Sequence, residues 1–283
     1  MDPISESVWT KKYKINNWNV TGYSIGGLKT SFYISDLNIL LDGGFQNFNK
    51  PEYIFITHLH ADHIGNLHLT VLENFNNSVF TNIYCPAESE KYLSNWMIAF
   101  FKCNFHSANV NCNKIFKIFG VSDGQRIDLI FNKKKFIIEI IESSHRIPTV
   151  SYGFNYISNK LKNEYKGKNG KELSELKKSG IDILYENICP SLLFVGDTDY
   201  KIFKNENFYK YRNIMIECTF FDDKEYLLSI ERKHMHWSKL KEIIQENIDI
   251  KFYIIHISPR YTKDFKSYID DKLIYFENLN FLY

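Results

Sequence analysis

The sequence predicts an α/β fold in which two mixed β-sheets lie face to face with helices on the outside. Short apolar runs rich in β-branched and aromatic residues recur along the chain, as is typical of buried strands, and each is followed by an acidic residue or a histidine. These runs are 39–41, 53–56, 136–141, 192–195, 214–216 and 252–255. Segments with helical spacing lie between them, notably 88–101 and 236–247.

Size and composition are compatible with one large α/β domain or two small ones. The chain has 283 residues, of which 44% are hydrophobic and 16% aromatic, enough to fill a core. No long linker or repeat interrupts it, so we expect one domain over 1–283. The formal net charge is only +2, so a polyanion must be bound by a local patch of charge.

The cysteines and the start of the chain indicate the compartment. Five scattered cysteines without a CxxC pair argue against a disulfide framework and for an intracellular, reducing compartment such as the cytoplasm or nucleus. The first residues contain no apolar stretch after a basic one, so no secretion signal is expected. No run of eighteen apolar residues exists, so no membrane span is expected.

The clearest chemical signal is segment 57–65, Thr-His-Leu-His-Ala-Asp-His-Ile-Gly, which contains His58, His60, Asp62 and His63. Two histidines two residues apart can point the same way from an extended segment and bind one zinc ion. The Asp-His pair that follows can turn toward a second ion. Two metals about 3.5–4 Å apart can share a bridging hydroxide. The alternative is a surface loop with incidental histidines.

Further ligands are needed, because zinc takes about four ligands and a catalytic ion keeps one position open. His145, Asp197 and His256 each follow a predicted strand. Taken singly, a strand-end aspartate is often a turn residue, and a lone histidine is more often structural. Together they complete two sites of three or four ligands.

The order of the motifs along the chain indicates a particular family of metal-dependent enzymes. After the HxHxDH segment come His145, Gly-Asp-Thr at 196–198, Glu-Cys-Thr at 217–219, His-Met-His at 234–236 and His-Ile-Ser-Pro-Arg-Tyr at 256–261. This order resembles ribonuclease Z, the tRNA 3′-processing endonuclease branch of the metallo-β-lactamase superfamily. The similarity covers nearly the whole chain. Segment 165–180 resembles the compact substrate arm of the short, plant-type members.

The resemblance implies a metallo-β-lactamase αβ/βα sandwich that holds two Zn²⁺ ions per chain, with Mn²⁺ or another divalent ion as the alternative. It further implies a ligand set of His58, His60 and His145 on one ion, Asp62, His63 and His256 on the other, and Asp197 between them. Asp62 is also expected to steady the nucleophile.

Two further residues are implied in catalysis by the resemblance. His236 matches the catalytic histidine of the family, and Glu217 matches the acid that orients it. His234 is a second candidate for the catalytic role. A purely structural alternative is that His236 and Glu217 form a buried salt bridge at a helix start. Asp42 and Thr198 are expected to support the ligands through hydrogen bonds. Asp42, which precedes two glycines, is equally well explained as a turn residue.

The implied function is cleavage of precursor tRNA at its 3′ end, leaving a 3′-hydroxyl on the tRNA and a 5′-phosphate on the trailer. The alternatives are hydrolysis of β-lactams or other small esters by the same metals, or a ribonuclease of broader specificity. A non-catalytic RNA-binding homologue is a third alternative, against which the intact ligand set argues.

An inserted arm at 155–185 is the predicted RNA-binding element. Between residues 160 and 178 seven lysines face three glutamates, a local charge of +4. The lysines are Lys160, Lys162, Lys166, Lys168, Lys171, Lys177 and Lys178. Gly167 and Gly170 predict a hairpin-like tip, although a solvated loop with ordinary lysines is the alternative. The resemblance implies a homodimer in which one subunit's arm presents tRNA to the other subunit's site.

Overall fold

The computed structural model describes residues 11–131, 133–262, 265, 267, 268 and 276–282. Within them the strands form two mixed sheets of seven strands each. The strands of the first sheet are β1 (Lys11–Ile15), β2 (Trp18–Ile25), β3 (Lys29–Ile34), β4 (Ile39–Leu41), β5 (Tyr53–Phe55), β6 (Thr81–Pro86) and β7 (Phe116–Val121). Those of the second are β8 (Arg126–Phe131), β9 (Lys134–Ser143), β10 (Thr149–Leu161), β11 (Leu184–Phe194), β12 (Asn213–Glu217), β13 (Lys251–Ile255) and β14 (Leu279–Phe281).

In each sheet, four neighbouring strands pair antiparallel and the rest continue parallel. The first sheet follows chain order from β1 to β7 and becomes parallel from β4 onward. The second has the order β14 to β8, with parallel pairs from β11 to β14. The parallel strands therefore bring the ends of β5, β11, β12 and β13 to one edge of the sandwich.

Helices lie outside the two sheets, and most of them belong to the crossover connections that parallel strands need. They are α1 (Ala61–Ile64), α2 (Leu67–Asn76), α3 (Glu90–Asn104), α4 (Gly170–Lys178), α5 (Tyr226–Arg232), α6 (Trp237–Glu246) and α7 (Pro259–Thr262). Short 3₁₀ turns occupy Ala87–Ser89, Cys112–Lys114, Asn163–Tyr165, Tyr200–Lys204, Glu206–Lys210 and Asp223–Glu225. None of the helices in these residues is long and apolar enough to cross a membrane.

The core lies between the two sheets. Phe55 from the first sheet meets Phe154 and Tyr152 from the second, with ring centroids 5.2 Å apart in both pairs. All three side chains are completely buried. Outside this layer, Leu240 and Ile244 of α6 pack on the second sheet in a separate apolar cluster. The predicted two-sheet α/β architecture is confirmed.

The predicted strands and helices are found as strands and helices, but their first and last residues differ from the prediction. Segment 53–56 is a strand that ends at Phe55, and segment 192–195 is the end of the much longer β11. The predicted helices 88–101 and 236–247 correspond to α3 and α6. Hydrogen bonding sets these ends, and apolar patterns locate them only to within a few residues.

The arm is an extension of β10 and β11. These strands pair from Tyr152 opposite Phe194 out to Leu161 opposite Leu184, beyond the end of their neighbours. The prediction of a hairpin-like tip is wrong, because the tip carries the helix α4. Asn169 caps that helix, accepting from the backbone of Glu172 while the Glu172 side chain accepts from the backbone of Asn169. This capping box satisfies amide groups at the helix start.

Candidate metal centre

The predicted ligands converge where the strands end at one edge of the sandwich. His58 follows β5, Asp197 follows β11 and His256 follows β13, while His145 lies after β9. Short helix α1 then brings Asp62 and His63 back toward the same point. Ligands on the ends of buried strands are held by a rigid scaffold, which keeps their geometry defined.

One group of possible ligands consists of His58, His60, His145 and Asp197, whose ligand atoms all lie within 4.8 Å of one another. His60 Nδ1 is 3.0 Å from His58 Nε2 and 3.3 Å from His145 Nε2. Two nitrogens bound to one zinc at 2.0–2.1 Å in a tetrahedral arrangement lie about 3.3–3.4 Å apart. The observed spacing therefore fits a single shared ion.

The second group is Asp62, His63 and His256, again with ligand atoms within 4.8 Å. His63 Nε2 is buried and has no hydrogen-bond partner among the described residues. It lies 3.6 Å from Asp62 Oδ2 and 3.6 Å from Asp197 Oδ1. A buried nitrogen without a partner is costly, and a cation between it and these carboxylates removes that cost. The residues thus fit a second ion.

Asp197 faces both groups, as expected for the bridging position. Its Oδ2 is 3.6 Å from His58 Nε2 and 3.4 Å from His256 Nε2, and its Oδ1 faces His63. The carboxylate is only 3% exposed. A buried carboxylate needs compensating positive charge, which two neighbouring cations supply.

Outer hydrogen bonds orient the histidine ligands. His58, His63, His145 and His256 each direct Nδ1 to an outer partner and leave Nε2 toward the centre. The partners are the hydroxyls of Thr57 and Thr219, the Asp42 carboxylate and the Lys233 carbonyl, at 2.8–3.0 Å. Such partners hold metal-binding imidazoles in one tautomer and orientation.

The charges of these histidines are also consistent with cation binding. Burial lowers the pKa of His58 well below its usual value, and burial together with His145 lowers the pKa of His60 to about 4. Both rings are therefore neutral near pH 7, as ligands must be. Burial also lowers the pKa of His63, but Asp197 and the other nearby carboxylates outweigh it and raise that pKa to about 10. The carboxylates thus favour a positive charge at this position.

Of the two residues predicted to support the ligands, Asp42 bonds to a ligand, whereas Thr198 bonds to neighbours of the ligands. Asp42 is fully buried, accepts from the Thr57 backbone at 2.8 Å and lies 2.8 Å from His63 Nδ1. The Thr198 backbone donates to Glu217 Oε1 at 2.9 Å. Thr198 thereby links the loop that carries Asp197 to the end of β12.

The predicted pairing of Glu217 with His236 is wrong, because Glu217 pairs with His234. His234 Nδ1 lies 2.7 Å from Glu217 Oε1 and 3.8 Å from Asp197 Oδ2, and its ring stacks on His256. Burial lowers the pKa of His234, but Glu217 outweighs it and raises the pKa to about 9, while the Arg146 charge acts to lower it.

His236 has a structural position instead. It is the N-cap of α6, where Nδ1 accepts from the Ser238 backbone at 3.2 Å and Nε2 lies 3.1 Å from the Asp222 carbonyl. The side chain is therefore directed into the helix start and away from the ligands. The Ser238 hydroxyl lies 2.8 Å from the same Nδ1 and helps to hold the ring in this orientation.

Thr219 is a site residue that the sequence interpretation did not single out. Its hydroxyl lies 2.5 Å from Glu217 Oε2 and 2.9 Å from His256 Nδ1. It therefore connects the acid that holds His234 with a predicted metal ligand. The signal available in the sequence was its place in the Glu-Cys-Thr motif, directly after a predicted strand.

The ligand groups open into a cavity of about 600 Å³. His60, Asp62, Asp197, His234 and His256 line its floor. Gly27 donates its backbone N–H to Asp62 Oδ2 at 2.8 Å from the opposite wall. An open cavity above two groups of metal ligands, with an acid-paired histidine beside it, is suited to metal-assisted hydrolysis.

No family model matches the chain. Among curated proteins, tRNase Z TRZ1 of Arabidopsis thaliana is 28% identical over 262 residues, covering 89% of both chains. Among solved structures, human tRNase Z, short form, aligns with a TM-score of 0.54 at 14% identity, over 93% of this chain and 95% of that chain. The metallo-β-lactamase fold protein YhfI of Bacillus subtilis aligns with a TM-score of 0.58 at 13% identity, with the same coverage. The chain therefore has the metallo-β-lactamase fold, and the predicted resemblance to ribonuclease Z is confirmed by relatives that are hydrolases of this fold.

Proposed function

We propose that this protein is a metal-dependent endoribonuclease that cleaves precursor tRNA at its 3′ end. The products are a tRNA with a 3′-hydroxyl and a trailer with a 5′-phosphate. The observation that carries the proposal is the contact of His234 with Glu217 beside the two ligand groups. The similarity of the chain to a tRNase Z over most of its length supports the substrate class.

The ligand arrangement supports two Zn²⁺ ions per chain. His58, His60 and His145 would hold one ion, Asp62, His63 and His256 the other, and Asp197 would contact both. Bound zinc supplies a nucleophile near neutral pH and positive charge for the phosphate oxygens. The imidazole-rich ligand set favours zinc over Mg²⁺ or Ca²⁺, which prefer oxygen ligands.

The residues of the chain supply orientation and the proton. The Gly27 backbone N–H donates to Asp62 Oδ2 and fixes this side chain, so its carboxylate can orient the attacking water. Glu217 holds His234 through Nδ1 and stabilises the protonated ring. The other ring nitrogen is then available to protonate the departing 3′-oxygen. In this proposal His234, and not His236, is the general acid.

The arm is proposed to bind the RNA. Six of its seven lysines are exposed, and Lys162 is partly covered and donates to the Asp182 carbonyl. Structured RNA is recognised mainly through shape and phosphate contacts, which suits a lysine-rich surface. We further propose a homodimer in which the arm of one subunit serves the site of the other.

The cysteines support function in a reducing compartment. Each of the five is a free thiol, and Cys85, Cys112 and Cys218 are buried. Buried thiols that form no disulfide are typical of intracellular proteins.

The deciding experiment is incubation with a precursor tRNA, with and without a chelator, followed by mapping of the cut and of both new ends. Chelator-sensitive cleavage at the 3′ end of the mature tRNA is expected. Hydrolysis of a β-lactam or simple ester, together with an intact precursor tRNA, would favour a small-substrate hydrolase instead. Tight RNA binding without cleavage by the metal-loaded protein would favour a non-catalytic role.

A further inference from the structure

The arginines differ in how they are paired. The chain has five arginines, and three of them form ion pairs with carboxylates that are not predicted metal ligands. These pairs are Arg126 with Glu139, Arg212 with Asp249 and Arg260 with Glu225. Arg146 and Arg232 are both exposed, and neither forms an ion pair with a carboxylate of the described residues. Both of these arginines line the cavity above the metal centre, as does the ion-paired Arg260.

Arg146 lies in the loop after β9 and Arg232 is the last residue of α5, and these two segments are bonded to each other. Arg146 directly follows His145, and Arg232 directly precedes Lys233. Lys233 Nζ donates to the His145 carbonyl at 3.1 Å, and His145 Nδ1 lies 2.9 Å from the Lys233 carbonyl. This reciprocal contact fixes the two segments relative to each other and to a predicted metal ligand. The backbone positions of both arginines at the cavity are therefore defined.

Arg146 also borders a second cavity of about 880 Å³, which adjoins the first. Its described lining includes lysines and glutamates but no phenylalanine, tyrosine or tryptophan. A single strand in this cavity would therefore be held through its backbone, because sequence-tolerant base binding depends on stacking with aromatic rings. Arg146 lines both cavities, so its guanidinium can contact a strand that runs from one cavity to the other.

We propose that Arg146 and Arg232 form a clamp that binds the RNA phosphates next to the one being cleaved. The proposal rests on the endoribonuclease function given above. A guanidinium can donate two parallel hydrogen bonds to one phosphate, which gives direction as well as charge. An RNA offers phosphates on both sides of the cut, whereas a small ester offers none. The clamp therefore selects a polynucleotide, with its repeated phosphodiesters, over a small substrate.

The test compares Arg146→Gln, Arg232→Gln and the double variant with the control Arg212→Gln, whose arginine is exposed and ion-paired elsewhere. For each clamp variant we expect KM for precursor tRNA to rise roughly 10- to 100-fold, as for the loss of a charge-assisted hydrogen bond. The salt dependence of kcat/KM should lose roughly one unit of slope per arginine. The control should match the wild type in both measurements.

Three further readouts separate a clamp from a structural role. Metal content should equal that of the wild type, and the loss on bis(p-nitrophenyl) phosphate should be much smaller than the loss on precursor tRNA. Arg146→Lys should restore the salt slope but only part of the affinity, because an ammonium cannot bind in the bidentate manner. Equal losses on both substrates, or loss of metal, would overturn the clamp.

The outcomes also separate this inference from the proposed function. Wild-type protein that cleaves precursor tRNA, with clamp variants that match it in KM and salt slope, refutes only the clamp. Wild-type protein that neither binds nor cleaves precursor tRNA refutes the endoribonuclease function, and the clamp with it.

Discussion

A comparison of the variants His234→Ala and His236→Ala is the sharpest test of which histidine is the general acid. His234→Ala removes the only histidine in contact with Glu217 among the described residues, at 2.7 Å, and leaves the predicted metal ligands in place. Loss of a positioned proton donor should lower kcat on precursor tRNA roughly 10²–10⁴-fold. Metal content, measured by elemental analysis, should equal that of the wild type. Glu217→Gln should lower kcat in the same direction, because it weakens the hold on the same ring.

His236→Ala is the matched control, since it removes an imidazole two residues away. Its cost should be that of a lost helix N-cap, about 1 kcal/mol, which corresponds to a fall in Tm of roughly 2–4 °C in a protein of this size. The kcat of the folded variant should stay within a few-fold of the wild type. A large loss of kcat in His236→Ala with wild-type kcat in His234→Ala would refute this reading of the site.

Three further predictions follow from the ligand geometry, the core and the arm. The purified protein should contain about two divalent ions per chain, and His58→Ala or Asp197→Ala should lose metal and activity together, as measured by elemental analysis and RNA cleavage; full activity without metal would contradict this. Phe154→Ala, in the completely buried layer between the sheets, should lower the free energy of unfolding by about 3–5 kcal/mol in urea titration; a change below 1 kcal/mol would show that the layer repacks. Reversing the charge of the lysines in 160–178 should weaken precursor tRNA binding and reduce its salt dependence, with a smaller effect on a small phosphodiester; equal damage to both substrates would show that the arm is structural.

The sequence was sufficient to predict the candidate ligands and the architecture around them. Metal ligands are of few chemical types, and here they follow apolar runs that the structure shows as strands. Because parallel strands end at a common edge, residues far apart in the chain, such as His58 and His256, could be expected to meet. The two-sheet arrangement followed from the same runs, since strands with alternating helices bury their faces in layers.

Only the tertiary structure decided between His234 and His236. Both lie in one short loop, and residues two apart in an extended segment point to the same side. The start of α6 breaks that equivalence, because His236 turns back to cap the helix while His234 meets Glu217 from β12. The Glu217 contact spans 17 residues of sequence and depends on how α5 and α6 pack.

Contacts between distant segments also account for most of the other features that could not be predicted from the sequence. The arm tip is a helix and not a hairpin turn, because the capping box of Asn169 and Glu172 stabilises a helix start despite the glycines nearby. The contact of Thr219 with His256 and the approach of Arg146 and Arg232 to one cavity have no local pattern in the chain. Local chemistry determines which residues can bind a metal or a phosphate, whereas the packing of distant segments determines which of them share a site.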